Sequence, residues 1–206
     1  MTNSVRFSLI AIVAALAALA GCETPGRLAK NVEGDWSGTP VRFDKKIPVN
    51  GEFTPVFSFV RASNRAGGEM TLSARLSVMM PVNAPIDSIG TTAVSATAAG
   101  LATVRGTWEA DGDDDIDLAF DLSTLVINMD PEVEFELANV WASGDVPTQR
   151  TVSEAVKKSF VKQMRDAMTS ALHEMDDIDD IKFIDKGTKM TCKFADVRQT
   201  LNRVYN

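Results

Sequence analysis

Apolar and polar residues alternate along much of this chain, and the alternation is clearest from Met70 to Val82. Every second residue of that segment is apolar, and the residues between them are mostly Thr, Ser and Arg. Because successive side chains of a strand point to opposite faces of a sheet, the pattern predicts a strand with one buried and one solvent-exposed face. Pro81 cannot donate to a strand ladder, so it is expected near the end of this strand or on a sheet edge.

Shorter alternating segments flank this one and are separated by residues that favour turns. Gly100 separates two of them and suggests a hairpin, Asp111-Gly112 is a strong two-residue turn signal, and Lys186-Gly187 joins two further segments. Many short strands at hairpin spacing predict an antiparallel barrel or sandwich. The expected strands are 56–60, 70–82, 91–98, 101–109, 116–122, 133–137, 182–185 and 188–194.

One long segment follows helical spacing instead, from Thr151 to about Met175. Thr151-Val152-Ser153-Glu154 has the spacing of a capping box, which marks a helix start. Basic residues between Lys157 and Arg165 leave two interpretations, a helix docked on an apolar surface or a helix lying on a membrane surface. One helical turn at 28–32 and a short helix over 197–204 are also expected. The apolar stripe of the long helix consists of Val152, Val156, Phe160, Met164, Met168, Leu172 and Met175.

The N-terminus has the features of an export signal. Arg6 precedes an uncharged, largely apolar run from Phe7 to Ala20, which is too short to span a bilayer but has the length of a secretory signal. The residues Leu19-Ala20-Gly21-Cys22 resemble the bacterial lipobox. That resemblance implies cleavage before Cys22 and modification of this cysteine by diacylglycerol and a further acyl chain such as palmitate. The alternatives are an ordinary secretory signal and an anchor that is retained in the membrane.

The lipobox resemblance also implies a domain organisation and a location. We expect a signal peptide at 1–21, a lipid-anchored Cys22 and a tether at 22–30. Several acyl chains on one cysteine give stable membrane attachment, whereas a single chain is marginal. Glu23 follows the cysteine, where enterobacterial inner-membrane lipoproteins have Asp, so the outer membrane is favoured and the face of that membrane stays open.

Two tryptophan triplets carry a resemblance to lipocalin-like (calycin) barrels. Gly34-Asp35-Trp36 opens the first candidate strand, and Gly106-Thr107-Trp108 is similar to a later hairpin of bacterial lipocalin-like lipoproteins. The resemblance implies that residues 31–206 form a mainly β domain, an antiparallel lipocalin-like β-barrel with one long amphipathic helix (about 151–175) packed on it. Lipocalins place a basic residue of the last strand near the first tryptophan, and Lys193 is the candidate here. The alternative is that Trp36 and Trp108 are core aromatics of another antiparallel fold.

Composition narrows the possible functions. The net charge of −7 argues against nucleic acid as a partner, because phosphate binding requires a dense Lys and Arg surface. One His and two Cys leave few residues for zinc, Cys-His or Ser-His chemistry, and nothing selects a catalytic pair among the carboxylates. We therefore expect no enzyme activity, no cofactor and no metal. Cys192 shares a strand face with Met190 and Phe194, which predicts a buried, unreactive thiol.

Two acidic segments remain as candidates for ion binding. Five aspartates lie between Asp111 and Asp117, but Ile116 and Leu122 occupy the positions where an EF-hand loop starting at Asp111 needs Gly and Glu. A solvated hairpin whose charges discourage edge pairing is the simpler interpretation. The segment from Asp176 to Asp180 is expected to be a soluble acidic loop after the helix, with binding of a cation or a basic partner as the alternative. His173 is expected at the flank of the helix.

These features predict a lipid-anchored protein of the outer membrane that is a binding module for a small apolar or amphiphilic ligand held inside the barrel. The alternative is a non-enzymatic accessory subunit of an envelope complex, with a filled barrel and an exposed apolar patch. A membrane-spanning barrel is disfavoured because one Tyr and three Trp cannot form two aromatic girdles. Ala74, Ala96, Ala98 and Ala102 would leave room for a ligand, whereas Met70, Leu76, Met80 and Phe120 would fill it.

Overall fold

The computed structural model describes residues 24–42, 49–86, 90–136, 149–173 and 175–205. These residues form a predominantly β protein in which one antiparallel sheet rolls into a lipocalin-like barrel and one long helix packs on it. The predicted fold class is confirmed. The elements are α1 (Thr24–Val32), β1 (Gly34–Ser37), β2 (Val41–Arg42), β3 (Asn50–Arg61), β4 (Gly67–Ile86), β5 (Gly90–Asp111), β6 (Asp115–Glu136), α2 (Gln149–His173), β7 (Asp177–Ile184), β8 (Lys189–Phe194) and β9 (Val197–Val204).

The sheet closes into a ring because β1 pairs with β3 on one side and with β9 on the other. Of the nine strands in the described residues, eight form the ring, and β2 pairs only with β3. Three turns lie at one end of this ring, at 62–66, 112–114 and 185–188. We call the ring the closed half and this end the closed end. The α1 helix contacts β5 and β3 there and buries Leu28, Ala29 and Val32.

Beyond the ring, β4, β5 and β6 continue as a three-stranded arm. Within the described residues, β3 follows β4 only as far as Met79, and β6 pairs with β7 only at Ile116 and Asp117. The outer sides of β4 and β6 therefore have no neighbouring strand farther along. Two register shifts between β5 and β6, at 98–100 and 103–105, are bulges that increase the local twist and bend the arm.

The α2 helix packs on the apolar face of the arm with the stripe that the sequence predicts. Its buried side chains include Val156, Phe160, Met164 and Leu172. The helix makes its contacts with the arm mainly through the outer strands β4 and β6 and less through the central strand β5. In the part of the chain that the structure describes, no helix is both long enough and apolar enough to cross a membrane.

The expected hairpin at Gly100 is wrong, because residues 90–111 form one continuous strand, β5. Gly100 lies opposite Met129 of β6, and a Cβ atom at this position would come within 2.5 Å of the Asn128 carbonyl oxygen. Glycine is required there because the two backbones approach closely beside a bulge, and the chain does not turn. Similarly, β6 continues through Pro131 to Glu136 instead of breaking into two strands.

Two expectations about helices are also wrong. The α2 helix begins at Gln149, so Thr151 lies inside its first turn and is not its cap. Residues 197–204 form strand β9 and not a helix, because Ala195 and Asp196 both adopt positive φ values (52° and 60°) in a tight turn that pairs β9 with β8. The spacing of four residues between Val197 and Leu201 fits one face of a strand as well as one face of a helix.

Two segments expected as loops are ordered elements. Residues 24–30, which fall within the expected tether at 22–30, belong to α1. The acidic segment after α2 is not a loop beyond Asp176, because β7 begins at Asp177 and buries Ile178 and Ile181 between its aspartates. Pro81 does lie on a sheet edge as predicted, since the pairing of β3 with β4 ends at Met79.

Candidate functional site

Trp36 lies at the closed end of the ring, where its side chain is fully buried. Its Nε1 donates a hydrogen bond of 2.6 Å to the carbonyl oxygen of Val32, the last residue of α1. The ring of Phe183 lies 6.1 Å away between centroids. Gly34 has a φ of +119°, which L side chains rarely adopt, so the glycine two residues before the tryptophan lets the chain pass from α1 into β1.

Arg203 of β9 covers Trp36, with its Cζ atom 4.4 Å from the centroid of the indole ring. Its guanidinium also donates to the carbonyl oxygen of Glu33 at 2.8 Å, to that of Gly187 at 3.3 Å and to that of Asn31. A cation held over an aromatic face and bonded to three carbonyl groups fixes α1, β1 and β9 together.

The expectation that Lys193 would be the basic partner of Trp36 is wrong. Lys193 lies in β8, and its Nζ is 3.0 Å from the carboxylate of Asp196. The hydrogen bond to Asp196 raises the pKa of Lys193. Residues 197–204 were expected to form a helix, so the strand that carries Arg203, β9, was not among the expected strands.

Aromatic rings fill the closed half above Trp36. Phe57 meets Phe194 edge to face at 5.0 Å and lies parallel to Phe59 at 5.6 Å, and Phe59 meets Trp108 at 5.3 Å between centroids. Trp108 is buried, and its Nε1 donates to the carbonyl oxygen of Glu69 at 3.0 Å. These contacts satisfy the polar edge of the indole and pack side chains through this part of the interior.

A second apolar interior lies between α2 and the arm, and we call it the seam. Methionine and alanine are prominent in it, and methionine is unbranched and adapts its shape to its surroundings. Two of the alanines expected to leave room, Ala96 and Ala98, pair with Met80 and Val78 of β4, whereas Ala74 and Ala102 pair with each other nearer the closed end. The buried residues of the seam include Met80, Val82, Ala84, Val94, Ala96, Ala98 and Ile127 of the arm and Val156, Phe160, Met164 and Met168 of α2.

The α2 helix bonds to both outer edges of the arm. With its amide oriented by its partners, Gln163 donates to the carbonyl oxygen of Pro81 at 3.1 Å and accepts from the N–H of Asn83 at 3.2 Å. On the opposite edge, Arg165 donates from Nη1 to the carbonyl oxygen of Leu125 at 2.7 Å. Two helix side chains thus cover strand edges that would otherwise lack a partner. No sequence pattern identified these residues, because polar residues on the flank of a helix are common.

The two acidic segments meet where β6 and β7 pair. The N–H of Ile181 donates to the carbonyl oxygen of Asp114 at 2.8 Å. The neighbouring charge of Asp115 raises the pKa of Asp114, and partial burial, followed by the charge of Asp179, raises the pKa of Asp177. Among the described residues, no group of three or more His, Cys, Asp or Glu side chains is arranged to hold a metal ion.

Cys192 is buried between Met190 and Phe194 on β8, as the alternation predicts. Burial raises the pKa of its thiol to about 12, so the thiol is protonated and unreactive at neutral pH. Cys22, the predicted site of lipid attachment, lies outside the described residues.

No protein-family model matches this chain, and no curated protein matches it significantly. Its function is therefore inferred from the geometry of the closed half and the seam.

Proposed function

We propose that this chain is an outer-membrane lipoprotein, anchored through an acylated Cys22, that binds a small apolar or amphiphilic ligand in the seam without catalysing a reaction. The observation that carries the proposal is how the seam is closed: side chains of α2 bond to both edges of the arm where strand pairing ends. A side-chain hydrogen bond contributes only about 1 kcal/mol net, so one of these edge contacts can break at modest cost while the apolar stripe of α2 stays packed.

The seam suits a ligand better than the ring does. The ring is crossed by the contacts of Phe57, Phe59, Trp108 and Phe194, and displacing packed aromatic side chains is costly. In the seam, the buried Met80 and Met164 can change rotamer around an acyl chain or a similar apolar group, and the small side chain of Ala96 occupies little volume below the helix.

Native mass spectrometry of protein purified from its own membrane tests this proposal. We expect a chain that begins at Cys22, carries acyl mass and holds a small molecule that organic solvent extracts. A chain that retains Met1 and lacks acyl mass contradicts the anchor, and an acylated chain with no extractable molecule contradicts the ligand.

A pair of variants locates the ligand. Ala96→Phe adds bulk to a fully buried position of the seam, so we expect loss of the bound molecule. Thr97→Phe, the control, adds the same side chain to the exposed face of the same strand and should retain it. Where Ala96→Phe unfolds, Gln163→Ala is the second test, because removal of one edge contact should speed ligand exchange. Equal retention in Ala96→Phe and Thr97→Phe excludes the seam.

A second candidate function, an accessory subunit of an envelope complex, is favoured by two exposed apolar residues on the outer face. Leu101 of β5 and Val126 of β6 are 45% and 49% exposed. Leu101 pairs with Asn128 and Val126 pairs with Thr103, so the two apolar side chains are diagonal neighbours on the same face of the sheet. Affinity purification from detergent-solubilised membranes separates the two candidates. A stoichiometric partner lost on Leu101→Ser supports the subunit, whereas a monomer with extractable lipid supports the binding module.

A further inference from the structure

A groove of about 490 Å³ lies at the closed end, away from the seam, between α1, the turn after β7 and the end of β9. Its lining includes Lys30, Phe183, Lys186, Arg203 and Tyr205. Three cationic side chains and two aromatic rings therefore surround one open space. This combination fits a ligand that is anionic at one end and apolar beside it.

In the part of the chain that the structure describes, no ion pair neutralises the positive charges of the groove. Within the described residues, neither Lys30 nor Lys186 forms an ion pair, and Arg203 is bonded to carbonyl oxygens without a carboxylate partner. The nearest acidic neighbour in sequence, Asp185, is already engaged, because its carboxylate lies 2.8 Å from Nζ of Lys189. These cationic side chains are therefore available to an anionic ligand, in a protein whose total charge is −7.

The backbone at this groove adopts a costly conformation. Asp185 and Lys186 have φ values of 50° and 59°, in the left-handed region that residues with a Cβ atom seldom occupy. The following residue, Gly187, has a φ of 83° and presents its carbonyl oxygen to Arg203. The strained turn therefore sets Lys186 beside the groove while it helps to fix Arg203.

Exposed apolar side chains lie at the same end. Ile184, Val204 and Tyr205 end or follow their strands there and are 42%, 39% and 71% exposed. Tyrosine and lysine both combine an apolar stem with a polar tip, and such residues are typical of surfaces that meet a membrane.

The acidic turn between β5 and β6 is set back from this surface. The N–H of Ile181 bonds to Asp114, so β7 continues three residues past that turn before it ends at Ile184. Three residues of strand extend roughly 10 Å. The turn at 185–188, which carries Lys186, thus projects beyond the aspartates of the β5–β6 turn, which would otherwise oppose an anionic surface.

From these observations we infer that the closed end binds the phosphate headgroups of an anionic bilayer through this groove, and so fixes the orientation of the protein on its membrane. The inference rests on the proposed lipid anchor. Cys22 lies two residues before α1, a reach of at most about 7 Å, and the nine residues of α1 add about 13 Å. An acylated Cys22 therefore keeps Lys30 and its groove within about 20 Å of the bilayer.

Tyr205 allows a direct test, because it is the only tyrosine of the chain. Acylated protein in detergent or in phosphatidylglycerol–phosphatidylethanolamine vesicles is iodinated with a membrane-impermeant reagent, and incorporation at Tyr205 is compared. We expect iodination to be slower in the vesicles by about five-fold or more, and high salt to reverse part of the effect. Equal iodination in both preparations overturns the inference.

Two double variants that change the net charge by the same amount distinguish binding by the groove from a general electrostatic attraction to the membrane. Lys30→Glu with Lys186→Glu should abolish the protection of Tyr205, whereas Lys158→Glu with Lys162→Glu on the exposed side of α2 should preserve it. Loss of protection in both pairs contradicts a specific groove. Protection by inorganic phosphate in detergent at matched ionic strength contradicts a bilayer ligand and indicates a soluble anion.

Measurement of the acyl mass of each preparation distinguishes failure of the proposed anchor from failure of the proposed groove. If the native chain lacks acyl mass, the anchor fails, and the same protein is added to preformed vesicles. Protection of Tyr205 that depends on Lys30 and Lys186 then still supports the groove, and its absence overturns it.

Discussion

The closed half and the arm of this molecule share one sheet and one alternating pattern, yet they are closed in different ways. In the closed half, β1 pairs with both β3 and β9, so backbone hydrogen bonds complete the ring. In the arm, Gln163 and Arg165 of α2 bond to the outer edges of β4 and β6. The interiors differ as well, with packed aromatic rings in the closed half and methionine, alanine and branched aliphatic residues in the seam.

This difference indicates that the two halves differ in how easily they open. A backbone ladder opens only when several hydrogen bonds break together, whereas individual side-chain contacts can be lost one at a time. The closed half is therefore suited to hold a fixed shape, and the seam is suited to change its volume around a ligand.

Two phenylalanines give the sharpest comparison, because Phe57 in the ring and Phe160 in the seam are both fully buried. Phe57→Ala should lower the free energy of unfolding by about 4–5 kcal/mol, since a rigid aromatic cluster cannot collapse around the cavity. Phe160→Ala should cost about 3 kcal/mol, because neighbouring methionines can fill part of the space. Urea unfolding followed by circular dichroism measures both values, and an equal or larger cost at Phe160 contradicts the contrast.

Arg203 tests how the closed half is fixed. Arg203→Ala should cost about 2–3 kcal/mol, because it removes the cation over Trp36 and leaves three carbonyl oxygens without their donor. Arg203→Lys keeps the charge but lacks the planar group that reaches all three oxygens, so it should recover less than half of the loss. Full recovery by lysine in the same unfolding measurement would show that charge alone is sufficient.

Gln163 tests how the arm is held. Gln163→Ala should cost only about 1 kcal/mol, because it removes side-chain hydrogen bonds to a single edge. Its clearest effect should be faster hydrogen exchange at the N–H of Asn83, which loses its acceptor, with little change at amides of the ring such as Leu72. Exchange that accelerates equally in both halves would indicate that they open as one unit.

Asp177 lies at the junction of the two halves, opposite Asp117, and gives the smallest expected effect. Its pKa is raised from 3.8 by partial burial and by neighbouring aspartates, so the folded state loses stability as pH rises through the carboxylate range. Asp177→Asn should therefore raise Tm at pH 7, and the gain should shrink as pH falls below about 4. Differential scanning calorimetry at several pH values measures it, with Glu52→Gln, at an exposed position of β3 away from these aspartates, as the control. A gain that is constant with pH contradicts this origin.

The sequence predicted well those features that depend on one face of one element. Alternation over 70–82 located β4, and the stripe through Phe160 and Met164 located α2, because a single buried face imposes its own period on the chain. Cys192 was placed correctly for the same reason.

Features that depend on two elements together could not be predicted. Gly100 was taken for a turn because its actual role, permitting close approach to the Asn128 carbonyl, involves a strand that is distant in sequence. The spacing of Val197 and Leu201 fits both the period of a helix and that of a strand. The turn at Ala195 and Asp196 lacks the Gly or Asn that usually marks such a turn. The roles of Arg203, Gln163 and Arg165 exist only once the ring and the arm have formed.

The pairing of β1 with β9 sets an order of events for the newly made polypeptide. Arg203 bonds to Glu33 across 170 positions of sequence, and the indole ring of Trp36 is covered only when β9 is in place. Contacts of such long range form slowly, and this one cannot form before β9 has been synthesised. The ring therefore closes only after β9 has been made, and loss of β9 would leave one edge of β1 without a neighbouring strand and open to pairing with other chains.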